Sequence, residues 1–128
     1  MKLIRKIKQV LSWLPIIWKD EDWDYGYFIQ IVEFKLNKIA ECLEKDTIHE
    51  NAKEHAAKVR ETLNYFSNYQ NCFDLVDKPE TAIAEFRDRE FYCNDEFGEY
   101  CDKVNKLEAE NWEKAWNSIR DNAQCWWC

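Results

Sequence analysis

The residues most able to do chemistry crowd into one stretch, WLPIIWKDEDWDY (13–25), where Trp13, Trp18 and Trp23 stand five apart among four carboxylates. Asp20, Asp22 and Asp24 alternate, as ligands do at the start of a calcium loop. Such a loop needs glycine at its sixth position and a bidentate glutamate at its twelfth; here those are Tyr25 and Ile31. The aspartates instead suit a helix N-terminus, where carboxylates accept from free amides and complement the dipole. Cys125 and Cys128 form a CxxC pair, and Cys93 and Cys101 are the candidates to complete a four-thiolate zinc site. Zinc sites present both pairs at tight spacing, and an activated redox pair opens a helix rather than standing at a chain end. Disulfides belong to a secretory context, so most of the six cysteines read as reduced thiols. His49 and His55 are six apart, off the i, i+4 spacing of a zinc protease. There is no nucleophile elbow and no phosphate loop. The expectation is a protein that is not an enzyme and takes no metal or cofactor.

Seven tryptophans remain. Most such rings are core, because each buries a large apolar area. The functional alternative is a pocket in which indoles stack on a planar ligand while cations meet its phosphates. Trp18, Trp23, Trp112 and Trp116 are the stacking candidates. Lys19, Lys35 and Arg120, with Arg60 as a further possibility, are the phosphate candidates.

The elements that must position these groups are helical. With only two glycines and two prolines in 128 residues, the chain lacks the turns of a sandwich or barrel. Leu3, Ile4, Ile7, Val10, Leu11 and Leu14 follow helical spacing against Lys2, Arg5, Lys6 and Lys8, predicting a basic amphipathic helix over 1–14 that ends at Pro15. A Trp/Asp connector over 15–24 leads to a helical body over 25–128. Its first helix runs from about 24 to 45, with Phe28, Ile31, Val32, Lys35, Ile39 and Leu43 along one stripe and Phe34, Leu36 and Cys42 widening it. Thr47 and Glu50 have the spacing of a capping box for a helix to about Ser67 that buries Ile48, Ala52, His55 or Ala56, Val59, Leu63 and Phe66. Residues 68–79 read as a loop, and Pro79 as the start of a short helix. The final helix opens at Asn94–Asp95 and carries Phe97, Tyr100, Cys101, Val104, Leu107, Trp112, Ala115, Trp116 and Ile119 inward. Trp126 and Trp127 fold back onto the bundle. The expected fold is therefore all-α, a single domain of about five helices, with its first and last segments meeting through tryptophans.

Charge divides the chain. Residues 1–19 hold five cations and no acid, leaving 13 basic against 25 acidic groups in the remainder. A body at −12 excludes a general binder of duplex nucleic acid, which must neutralise phosphates. It fits a protein that meets a basic partner surface. The nine-residue apolar run VLSWLPIIW is too short for a membrane span, which takes about 20 residues, and KDEDWD after it offers no signal-peptidase site. A soluble, intracellular protein is expected. The N-terminal helix has the composition of one that lies on an anionic membrane, but packing on the bundle is the commoner fate of such a face.

The block Leu14–Tyr25, with Phe34-Lys35-Leu36 and Trp126-Trp127-Cys128, resembles a family of small tailed-phage proteins. That family carries an LPIIWKDRDWD-like block, an FKL element and a WWD-like end. The resemblance covers roughly residues 3–45 and the last few. Glu21 stands where the pattern has arginine, and Cys128 where it has an acid. The resemblance implies phage origin and the cytoplasm of the infected bacterial host, without an activity of its own. By analogy with small non-enzymatic phage proteins, it implies a counter-defence factor. The leading expectation is sequestration of a nucleotide immune signal in the aromatic pocket. The alternatives are an acidic inhibitor of a host defence protein or nuclease and a virion assembly factor, and a homo-oligomer is compatible with each.

Overall fold

The computed structural model describes residues 1–19, 25–79 and 95–126. Within them the protein is a single all-α domain: α1 (Lys2–Lys19), α2 (Tyr25–Lys45), α3 (Ala52–Gln70), the single turn α4 (Cys72–Leu75) and α5 (Asp95–Asn122), followed by a 3₁₀ turn (Ala123–Cys125). No strand occurs among the described residues.

Helix α3 organises the body, packing along α2 and along α5. Its inward face is Ala52, Ala56, Val59, Thr62 and Phe66, repeating every three or four residues. Against it α2 places Ile29, Leu36, Ala40 and Leu43, and α5 places Ala115. The alanines let the backbones approach, while Phe66, Ile29, Leu43 and Val59 fill the space between them. Burying each such large side chain contributes about 1.5–3 kcal/mol. Trp126 folds back into this cluster from beyond the 3₁₀ turn, as the sequence suggested; Trp127 lies outside the described residues. A second, smaller cluster of Cys72, Tyr100 and Val104 ties α4 to the start of α5, where the Tyr100 hydroxyl donates to the Phe73 carbonyl at 2.9 Å.

Polar contacts fix the registers. The Thr62 and Ser118 hydroxyls meet at 2.6 Å between α3 and α5, and Thr62 also donates to the Lys58 carbonyl. Arg60 reaches from α3 to α2, with both Glu44 oxygens at 2.8 and 3.0 Å and the Asn37 amide oxygen at 2.9 Å.

Several sequence expectations need correction. Helix α1 does not stop before Pro15 but contains it and runs to Lys19, so the connector is shorter than 15–24. Proline removes the bond to the Leu11 carbonyl, but on an exposed helix that carbonyl has solvent to bond. The buried stripe of α2 keeps Leu36 and Leu43 but includes Ile29 and Ala40, whereas Phe28, Lys35 and Cys42 are exposed. The capping box at Thr47 and Glu50 does not form, and Ile48 is 87% exposed. Instead Asp46 Oδ1 accepts from the amides of Ile48 and His49, and Oδ2 meets His49 Nδ1 at 2.6 Å. These amide bonds first, and the histidine second, hold the Asp46 carboxyl below its usual range. Helix α3 therefore starts five residues after Thr47, and it extends to Gln70 through part of the expected loop. The helix expected after Pro79 lies outside the described residues.

Helix α1 stands apart from this core. None of its residues is buried. Leu3, Ile4, Ile7, Val10, Leu11, Leu14 and Ile17 are 47–69% exposed, and Trp18 is 83% exposed. Only Ser12, Trp13 and Ile16 are half-covered, and Trp13 meets the Phe34 ring of α2 edge-on at 4.6 Å. The apolar face expected to pack on the bundle is turned away from it.

Candidate functional site

The proposed stacking and phosphate residues that the structure describes lie on three helices, α1, α2 and α5, with the further candidate Arg60 on α3. Trp112 and Trp116 lie one turn apart on α5 with ring centroids 5.4 Å apart, edge to face. Their other contacts are within the protein. Trp116 stacks on Phe28 at 6.0 Å and stands edge-on to Phe66 at 5.4 Å, and Trp112 tilts against Tyr69 at 5.0 Å. A ring whose faces already meet other side chains is packing, not a platform for a base. Trp18 and Lys19 are exposed at the end of α1, and Lys35 is exposed on α2. Arg120 Nε is engaged by Asp121 at 2.9 Å. Trp23 and the carboxylates Asp20–Asp24 lie outside the described residues. The two tryptophans of the C-terminal helix are thus spent on packing with Phe28, Phe66 and Tyr69.

The indole nitrogens of Trp116 and Trp126 are buried without a hydrogen-bond partner among the described residues. They belong to the packed core rather than to an open pocket.

The thiols are dispersed in the same way. Cys42 and Cys125 are exposed, Cys101 is half-buried and Cys72 is buried, all as free thiols. Burial pushes the Cys72 thiol up, which suppresses the thiolate that nucleophilic or metal chemistry requires. Cys93 and Cys128 lie outside the described residues. No metal-binding group of histidine, cysteine or carboxylate side chains occurs among the described residues.

Apart from α1, two described surfaces of the body carry clustered charge. One is a shallow open cavity of about 480 Å³ between α4 and α5, lined by Leu75, Val76, Asp77, Lys103, Lys106, Leu107 and Glu110. Its two lysines and two carboxylates are of opposite sign, so it selects neither anions nor cations. The other is the outer face of α5. Asp95, Glu99, Asp102, Glu110 and Glu113 are all exposed and recur at helical spacing along one side, with Lys106 among them. Among the described residues none of these five carboxylates forms an ion pair. Asp95 and Glu96 in the first turn also complement the helix dipole.

Sequence reasoning missed the Arg60 fork and the Thr62–Ser118 contact. Arg60 and Glu44 are 16 residues apart and Thr62 and Ser118 are 56 apart. No local spacing announces such pairs; they depend on how α3 is rotated against its neighbours. The orientation of α1 was missed for a related reason. Trp13 lies on the polar side of the helix, and a contact there turns the apolar side outward.

Compared with protein families, with curated proteins and with solved structures, the chain matches none. No described helix is long and apolar enough to cross a membrane.

Proposed function

We propose that this is a non-enzymatic binding protein whose acidic body occupies a basic surface on a protein partner. The observation that supports it is the row of exposed, unpaired carboxylates along α5, set in a body with 25 acidic and 13 basic groups. Clustered unpaired charge on a rigid helix speeds encounter with a surface of opposite sign and disfavours partners of like sign. The resemblance to small tailed-phage proteins gives the setting: a counter-defence inhibitor that caps a host defence protein or nuclease in the infected cell.

The decisive comparison is between the native chain and a Glu99→Lys, Asp102→Lys, Glu113→Lys variant, all three positions being exposed. Each is immobilised and challenged with host lysate, and proteins retained only by the native chain are purified and assayed with and without it. A partner that binds less tightly as salt rises and loses activity on binding supports the proposal. Equal retention by both chains overturns it.

The nucleotide-sequestering reading keeps Trp18 and Lys19 as an exposed ring beside a cation. A melting temperature that climbs with a cyclic oligonucleotide, and stays put in a Trp18→Ala variant, would favour that reading over the inhibitor.

A further inference from the structure

We propose that α1 is a surface-seeking helix that docks this protein on an anionic lipid bilayer. The inference goes beyond the acidic-body reading and rests on a different element.

Geometry comes first. At 3.6 residues per turn, the stripe from Leu3 to Trp18 occupies roughly 140° of the helix circumference and runs about 24 Å along it. Ser12, Trp13 and Ile16, the half-covered residues, lie on the opposite side. The contact of Trp13 with Phe34 therefore holds α1 by its polar face and presents the apolar face outward. A helix docked this way is displayed to a partner rather than tucked into a core.

Charge then selects the partner. Lys6 and Lys8 border the stripe on its two sides, and Lys2, Arg5 and Lys19 complete five cations with no acid on the helix. Long basic side chains flanking an apolar face reach anionic headgroups while their stems stay in the interface. Trp18, at one end of the stripe, is a residue type that settles at headgroup level. The span is too polar to cross a membrane, so the helix lies in the surface plane.

A second copy of the chain fits the same face poorly. Two α1 helices would bring ten cations together. Away from α1, the large exposed apolar side chains among the described residues are Phe28 on α2, Ile48 between α2 and α3, and Phe73 and Leu75 on the single turn α4, none of which makes a stripe as long as that of α1. The acidic body would be repelled by an anionic surface, which leaves α1 as the element that makes the contact.

The experiment is flotation of the full chain with vesicles of phosphatidylcholine alone or with phosphatidylglycerol added. Partitioning onto the anionic vesicles should exceed that onto neutral ones by at least about tenfold at low salt and fall as salt rises. Leu11→Glu, at an exposed position, should abolish it without changing the circular dichroism or melting of the body. Lys6→Glu with Lys8→Glu should remove the preference for anionic lipid. Failure of the native chain to float with anionic vesicles overturns the proposal. So does binding that survives Leu11→Glu, or concentration-dependent self-association that Leu11→Glu abolishes in a chain that never binds vesicles.

Discussion

Helices α1 and α2 follow one another in sequence, are of similar length, and each carries an apolar stripe at helical spacing. Their fates are opposite. Ile29, Leu36, Ala40 and Leu43 of α2 are all but inaccessible, whereas no residue of α1 is buried. The difference lies in what stands across from each. Facing α2 are Ala52, Ala56 and Val59 of α3, small enough to admit a second backbone, and the Arg60 fork closes the same interface. Among the described residues helix α1 has one aromatic contact, made from its polar side. Amphipathicity establishes that a face needs a partner; it does not establish that the partner is in the same chain.

The sharpest way to break this comparison is to truncate one large side chain in each region. Phe66→Ala empties the middle of α3, where the ring is fully enclosed, and should cost about 3–5 kcal/mol in urea unfolding. Leu11→Ala on α1 should change stability by no more than about 0.5 kcal/mol. A comparable loss from Leu11→Ala would mean that α1 is packed in solution, which would contradict the outward face.

Next in size is the polar contact inside the core. Thr62→Val deletes a hydroxyl that meets Ser118 at 2.6 Å and leaves the serine short of its partner, at a cost of about 1–3 kcal/mol. Adding Ser118→Ala should recover part of that loss, because no orphaned hydroxyl then remains. Gly98→Ala is expected to move stability the other way. Gly98 lies inside α5, and a methyl group there would meet nothing within 4 Å. The substitution should stabilise by about 0.5–1 kcal/mol, seen as a rise in melting temperature.

The sequence carried the helical class and most of the inward face of α5, because Tyr100, Val104 and Ala115 keep one period over about four turns. It carried less of the starts of helices. Thr47 and Glu50 satisfy a capping pattern by type and spacing, yet Asp46, one residue earlier, accepts both amides and moves the start of α3 downstream. The candidate ligand site was the least legible. Indoles and cations were grouped by kind, but Trp116 had Phe28 and Phe66 available as neighbours, 88 and 50 residues away in sequence. Packing on those rings is what separates a core tryptophan from a binding one, and composition holds no trace of it.

The smallest expected effect concerns a carboxylate of α2 that is partly buried beside α3. Glu33 is half-buried beside Gln70, whose side-chain amide donates to it at 3.4 Å. Burial raises its pKa, and the bond from Gln70 offsets this only in part. A carboxyl with a folded pKa above its unfolded value binds its proton more tightly in the native state. Its ionised form therefore destabilises the fold once pH rises through the unfolded and then the folded pKa, and the penalty vanishes below both. Glu33→Gln keeps an acceptor for Gln70 and removes the charge. Its melting temperature should exceed that of the native chain by a small margin at pH 7, and the two curves should converge as pH falls below the ordinary carboxylate range. No residue of α1 is acidic, so nothing in that helix competes in the same window. A lower melting temperature for Glu33→Gln at pH 7 would mean that the charged bond to Gln70 outweighs desolvation, and that the α2–α3 interface is wetter than its alanine-lined core implies.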